Sequence, residues 1–274
     1  MHLIADSGST KTSWKIAGKG DFSLTTIGFN PMIQSSENMS DGLLVPELLV
    51  LANAISKIHF FGAGCSNESA KTKMKNCLKQ IFKTAEITIF HDMDAAAIAL
   101  FGSKNGIACI LGTGSNICEY NDGKIIQHFP SLGHILGDDG GGVDIGKIVL
   151  KKYVQQQQPW QTLLAVHGLT TDPKIIVSEI YNTAKPNTYI AAYAKVAFAN
   201  IDNPVFYNII KSSLQNFFTN QVYAYTKQEK NIGFVGSIAF FAQSIIKELC
   251  LENDLKFVQV IQSPIDNLVA FYEK

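Results

Sequence analysis

The feature that most constrains the fold is a pattern that occurs twice: an apolar run entering a loop of Gly, Ser and Thr, then two more short runs. The first copy is HLIAD, SWKIA and FSLTTI, separated by SGSTKT and GKGD. The second is GIACILG, SNICEYN and KIIQHF, joined by GTG and NDG. Short apolar or alternating runs bounded by such residues are strands joined by tight turns. The loop GFNPM, Gly28 to Met32, follows the first triplet, with Pro31 pushing Asn30 toward an extended backbone. Spacing then predicts a helix over Leu43–Ile55, a buried strand ending on glycines over Lys57–Gly64, a helix over Glu68–Lys83 and the strand EITIF. This alternation implies βαβ units with parallel strands. The second triplet is followed by a long helical stretch from Gly142, interrupted at Pro159, Pro173, Pro186 and Pro204. Then come a strand and turn in NIGFVGS, a helix to Cys250, the strand KFVQVIQSP and a closing helix over Ile265–Tyr272. QQQQ, Gln155 to Gln158, reads as a helix end at the surface. The fold class is therefore α/β, in two tandem units whose likeness is one of architecture.

Composition narrows the class of function. With 274 residues and 46% hydrophobic side chains the chain can bury a large core. Lys+Arg and Asp+Glu both number 23, a balance that argues against nucleic acid or an anionic membrane as partner. The five cysteines are scattered with no CxxC pair, the usage of reduced thiols in a cytoplasmic protein. No basic segment followed by an apolar run opens the chain, and no apolar stretch is long enough to span a bilayer.

DSGSTKT, Asp6 to Thr12, and ILGTGSN, Ile110 to Asn116, occupy the same place in the two units. Each offers backbone N–H groups, small side chains and hydroxyls, which suit phosphate oxygens. One such loop alone reads equally as a hairpin turn. Two in equivalent places are expected to grip one nucleotide from both sides of a cleft. Asp6 ends an apolar strand, where a carboxylate needs a partner: a magnesium ion held through water, or the turn amides of Gly8 or Ser9. Asp92 follows the strand EITIF and opens a helix, so it can serve as a cap. It also lies where α/β sheets place their ligands, where a carboxylate can take a substrate hydroxyl proton. Asp94 reads as a cap or a support. In LGHILGDDGGGVDIG, Leu132 to Gly146, Asp138 and Asp139 can meet sugar hydroxyls or metal-bound water, or cap the helix. His134 can be a ligand, although a lone His in a loop is more often just hydrogen-bonded. GFVGS, Gly233 to Ser237, offers bare backbone to a flat purine ring.

Together and in this order, these segments resemble the sugar kinase, Hsp70 and actin superfamily, in the branch of N-acetylglucosamine kinases and BadF/BadG/BcrA/BcrD-type ATPases. DSGSTKT is similar to the branch's first phosphate loop, D-G-G-G-T-K-T, and GTGSN to its second. LGDDGGG resembles its L-G-D-E-G-S segment and GFVGS its adenosine motif. The resemblance implies two ribonuclease-H-like domains with a nucleotide cleft between them. The first would span residues 1–103, closed by a C-terminal helix at 265–274, and the second residues 104–264. It implies ATP and Mg²⁺, with Gly8, Ser9, Thr10, Lys11, Thr12, Gly112, Thr113, Gly114 and Ser115 at the phosphates and Asp6 near the metal. Gly233, Gly236 and Ser237 would meet adenosine. Asn30, Asp92, Ser115, Gly133 and Asp138 would meet the sugar, Asp92 as the base. The activity implied is phosphorylation of an amino sugar, N-acetylglucosamine first, with glucosamine and N-acetylmuramic acid as alternatives, by a cytoplasmic homodimer. The other reading is an ATPase that drives a protein partner; Cys109 and Cys118, within one hairpin, do not recreate the paired cluster ligands of the reductase activases.

Overall fold

A computed structural model describes residues 1–273 except Ser9 and residues 19–21, 157–159 and 226–228. Pro159 and the end of the QQQQ run therefore lie outside the described residues. The chain divides into two compact units. The first comprises Met1–Lys104, Asp122–Lys124 and Ser263–Lys274, the second Asn105–Asn121 and Ile125–Gln262.

The sheet of the first unit contains β1 (His2–Ser7), β2 (Lys11–Ala17), β3 (Ser23–Ile27), β4 (Lys57–Gly62) and β5 (Glu86–His91), in the order β3-β2-β1-β4-β5. β1 runs antiparallel to β2 and parallel to β4, which is parallel to β5. The helices are α1 (Ser36–Leu43), α2 (Pro46–Leu51), α3 (Glu68–Ile81) and α4 (Asp92–Phe101). The single helix expected over Leu43–Ile55 is replaced by α1 and α2. Ser35 caps α1 by accepting the Asn38 amide, and Pro46 begins a new helix, where its missing N–H costs nothing. Trp14, Phe29 and Phe60 are fully buried with ring centroids 6.0–6.5 Å apart. Each such ring contributes about 1.5–3 kcal/mol by leaving water.

The second unit repeats the sheet with β6 (Gly106–Leu111), β7 (Ser115–Asn121), β8 (Lys124–His128), β9 (Asn231–Val235) and β10 (Lys256–Ile261). Their order, β10-β9-β6-β7-β8, is the first order over again, with the same antiparallel and parallel pairings. Its helices are α5 (Gly133–Leu136), α6 (Gly142–Gln156), α7 (Trp160–Val166), α8 (Pro173–Asn182), α9 (Pro186–Ala191), α10 (Ala194–Ala199), α11 (Pro204–Phe217), α12 (Tyr223–Tyr225), α13 (Ser237–Phe241) and α14 (Gln243–Glu252). A π-helical turn, Phe218–Val222, joins α11 to α12. Pro173, Pro186 and Pro204 each open a helix rather than only ending one. The last helix, α15 (Ile265–Tyr272), returns to the first unit: Asn267 donates to the Ala99 carbonyl at 2.8 Å and Lys15 pairs with Asp266. Among the described residues no helix is long and apolar enough to cross a membrane.

Candidate functional site

In the first unit three parallel strands end level with one another. Ser7 of β1 is in register with Gly62 of β4, and Gly62 with His91 of β5. Carboxyl ends of parallel strands are where such sheets take ligands, and here they bring Asp6, the DSGSTKT turn, the Gly62–Cys65 segment and Asp92 to one edge. The turn is closed by the Gly8 amide donating to the Lys11 carbonyl at 3.0 Å, so that amide is not spent on Asp6. Thr10 and Lys11 are exposed, while Ser9 lies outside the described residues. Thr12 departs from its expected place at the phosphates. It is fully buried, donates to the Ile27 carbonyl (2.9 Å) and lies 2.7 Å from Ser7 Oγ, which itself accepts the Phe29 amide (2.9 Å). Its hydroxyl ties the loop to the GFNPM segment instead. In that segment Asn30 Oδ1 accepts the Met32 amide (3.0 Å), and its side chain packs on Gly64. Gly64 has φ of 77°, and a Cβ there would sit 2.0 Å from Asn30 Oδ1, so only glycine lets the two segments meet.

The carboxylates at this edge have different partners. His91 caps α4, its Nδ1 accepting the Met93 amide (3.4 Å), while Asp94 reaches back to the His91 amide (3.0 Å) in a reciprocal cap. Asp94 is thus a cap, and Asp92 is released from that duty. Among the described residues Asp92 Oδ1 is buried without a hydrogen-bond partner, although His91 Nδ1 stands 3.1 Å away. Burial, reinforced by the charge of Asp92 and opposed by Lys11, pushes the Asp6 carboxyl up to about 7. A divalent cation would relieve both burial and repulsion. Magnesium takes one or two carboxylates and keeps much of its water, so Asp6 fits it although no group of three or more His, Cys, Asp or Glu converges among the described residues.

In the second unit the equivalent loop is built into a helix start. The first amides of α6, Gly142 and Val143, donate to the Gly112 and Thr113 carbonyls at 2.8 and 2.9 Å. Asp138 Oδ1 accepts the Ser115 amide (3.1 Å), and burial raises the Asp138 carboxyl above its ordinary range. Asp138 is therefore drawn onto the loop itself. Asp139 accepts from Asn220 (2.9 Å), and Asp144 accepts from Ser213 (2.6 Å) and the Gly140 amide (3.3 Å). Gly133 opens α5 with φ of 67°. Gly236 has φ of 120° and lies so close to β6 that a Cβ would meet the Leu111 carbonyl at 2.3 Å.

A pocket of about 590 Å³ opens beside this loop, lined by Gly112, Thr113, Ser237, Lys195, Phe198 and Phe241 among others. Thr188 also lines it, and its hydroxyl is buried without a hydrogen-bond partner among the described residues. Gly233 does not line it: that residue is buried within β9, paired with Ala108 and Gln259. Sequence reasoning missed the wall formed by α9 and α10, whose small residues in AAYAKVAFA carry no recognisable motif, and it missed Asp144, Ser213 and the π-turn.

Two five-stranded sheets of this repeated order define the class: two ribonuclease-H-like domains, as in actin-like sugar kinases. Over 100% of this chain and 99% of the other, the fold matches a putative N-acetylglucosamine kinase from Porphyromonas gingivalis with TM-score 0.93 and 31% identity. The chain belongs to the family of that protein. The fold is shared at lower identity, 13%, with a putative N-acetylglucosamine kinase from Chromobacterium violaceum (TM-score 0.75, 98% of each chain). A ROK family glucokinase from Streptomyces griseus in complex with glucose and AMPPNP shares it at 14% identity (TM-score 0.59, 98% of this chain and 97% of the other). No protein-family model and no curated protein matches the sequence.

Proposed function

We propose that the protein is an ATP-dependent sugar kinase whose acceptor is an amino sugar, N-acetylglucosamine first. The observation that carries this reading is Asp92 Oδ1, a buried carboxylate oxygen without a hydrogen-bond partner among the described residues, at the ligand edge of the parallel strands of a mixed sheet. A carboxylate so placed is ready for a hydroxyl. The family relationship supports a sugar as the bearer of that hydroxyl.

In this reading Asp92 orients the hydroxyl and takes its proton as the oxygen bonds to the γ-phosphorus and the bond from that phosphorus to ADP breaks. Asn30, held by Gly64, binds the sugar, and the Gly8–Lys11 turn and the Gly112–Ser115 loop supply amides and hydroxyls to the phosphates. Lys11 adds positive charge. Magnesium at Asp6 would neutralise phosphate charge when bound. Phosphoryl transfer has a loose transition state, so positioning and charge neutralisation outweigh basicity. The pocket beside Ser237 takes the adenosine, its aromatic and alkyl walls suiting a purine.

ADP release measured with N-acetylglucosamine, glucosamine, N-acetylmuramic acid, N-acetylmannosamine and glucose tests the assignment. Strong stimulation by N-acetylglucosamine is expected. Substantial ATPase that no sugar raises would instead mean an enzyme working on a protein partner.

A further inference from the structure

One polar side chain in the second unit is unexplained by packing. Gln221 is only 2% exposed, within a π-turn otherwise lined by Phe218 and Val222, both buried. The turn is a true widening of the helix, the Tyr223 amide donating to the carbonyl of Phe218 five residues back. Such turns bond less well than α-helix and occur mostly at functional sites. Here the widening sends two consecutive side chains to two segments of the candidate site. Asn220 donates to Asp139 (2.9 Å), and Gln221 Nε2 donates to Ser115 Oγ (3.2 Å). Gln221 Oε1 is buried with no hydrogen-bond partner among the described residues.

The sense of that bond is informative. An amide nitrogen can only donate, so Ser115 Oγ accepts from Gln221 and its single proton is directed elsewhere. The Ser115 amide is already given to Asp138. What Ser115 can offer a ligand is therefore its hydroxyl proton, and phosphate oxygens are acceptors. We propose that Gln221 is a positioning residue that fixes the Ser115 hydroxyl as a donor to the phosphate chain of a nucleoside di- or triphosphate. This rests on the kinase reading, which supplies the nucleotide. It extends that reading by making the π-turn part of the phosphate site, with Oε1 left to accept a hydrogen bond from water or a hydroxyl ordered in the complex.

Titration calorimetry with ADP and AMP on the full chain tests it, using wild type, Gln221→Met, Ser115→Ala and the double variant. Losing one hydrogen bond of this kind should weaken ADP binding about tenfold. Gln221→Met and Ser115→Ala should each show that loss, and the double variant should bind ADP no more weakly than Ser115→Ala alone. AMP affinity should not move. A Gln221→Met protein that binds ADP like wild type overturns the proposal. Equal losses for AMP and ADP overturn it too, since they mark a merely structural role, and so does additivity in the double variant. If Gln221→Met does not fold, Gln221→Asn, one methylene too short to reach Ser115, is compared in the same way. A wild type that binds neither nucleotide would instead sink the nucleotide reading itself.

Discussion

The two units share one strand order, but the loop after the first strand is secured differently in each. In the first unit neutral hydroxyls do it: Ser7 and Thr12 hold each other, the Ile27 carbonyl and the Phe29 amide. Carboxylates there are left over, Asp6 pushed up to about 7 and Asp92 with an oxygen to which no described residue hydrogen-bonds. In the second unit a carboxylate joins the backbone: Asp138 holds the Ser115 amide, the Gly142 and Val143 amides hold the Gly112 and Thr113 carbonyls, and next to the loop Asp144 is tied to Ser213 and the Gly140 amide and Asp139 to Asn220. A repeated fold thus yields one edge with charge available for chemistry and another whose charge is spent on shape.

The sharpest way to break this comparison is Asp92→Asn. If the first unit holds the base, sugar-dependent turnover should fall by about 100- to 10,000-fold, with ATP affinity unchanged by calorimetry; near wild-type turnover would remove the base from that unit. Next in size is Gly236→Ala in the second unit. Its positive φ and the Leu111 carbonyl in the way predict a loss of about 3 kcal/mol in chemical unfolding, with exchange protection lost first around β6 and β9. The two fastenings can then be compared directly. Ser213→Ala strips a buried bond to a carboxylate and should cost about 2 kcal/mol, whereas Ser7→Ala strips neutral bonds and should cost about 1 kcal/mol. Equal costs would mean the charge in the second unit adds nothing.

The smallest effect concerns pH. His59, in ring contact with His2 and Tyr272, is lowered to about 4 by burial first, then by His2 and Lys57, with Glu86 opposing. A depressed histidine contributes stability that is present above its unfolded value of 6.5 and lost as pH falls through about 4. Thermal midpoints followed from pH 7 to 4 should therefore drop less in His59→Phe than in wild type. Identical slopes would exonerate His59.

Much of this architecture is legible in the sequence because strand triplets with Gly-rich turns are local signals. The match between Ile265–Tyr272 and its helix is of the same kind. The single helix expected over Leu43–Ile55 is two because Pro46 disfavours helical backbone in the residue before it and opens the next helix. Asp6 and Asp92 could be singled out since one lies at the end of a strand and the other at the start of a helix, whereas Asn30, in a loop, stood out only through the family resemblance. Thr12 differs from its expected place because the alternation of β2 turns its hydroxyl inward, toward Ile27 and Ser7. Gln221 was illegible for the opposite reason. Its partner Ser115 is 106 positions away, and an amide inside an apolar helix looks the same in sequence whether it faces water or a serine.

The division of the chain also bears on how the protein is made. The second unit is nearly continuous in sequence, whereas the first needs α15, more than 160 residues beyond Phe101, to cover α4 and β2. During synthesis the second unit can complete its sheet while the first still exposes the apolar flank that α15 will close. Domains fold as units as the chain emerges, so the amino-terminal half should be the last to become resistant to protease. Its finished state would date from the moment α15 leaves the ribosome.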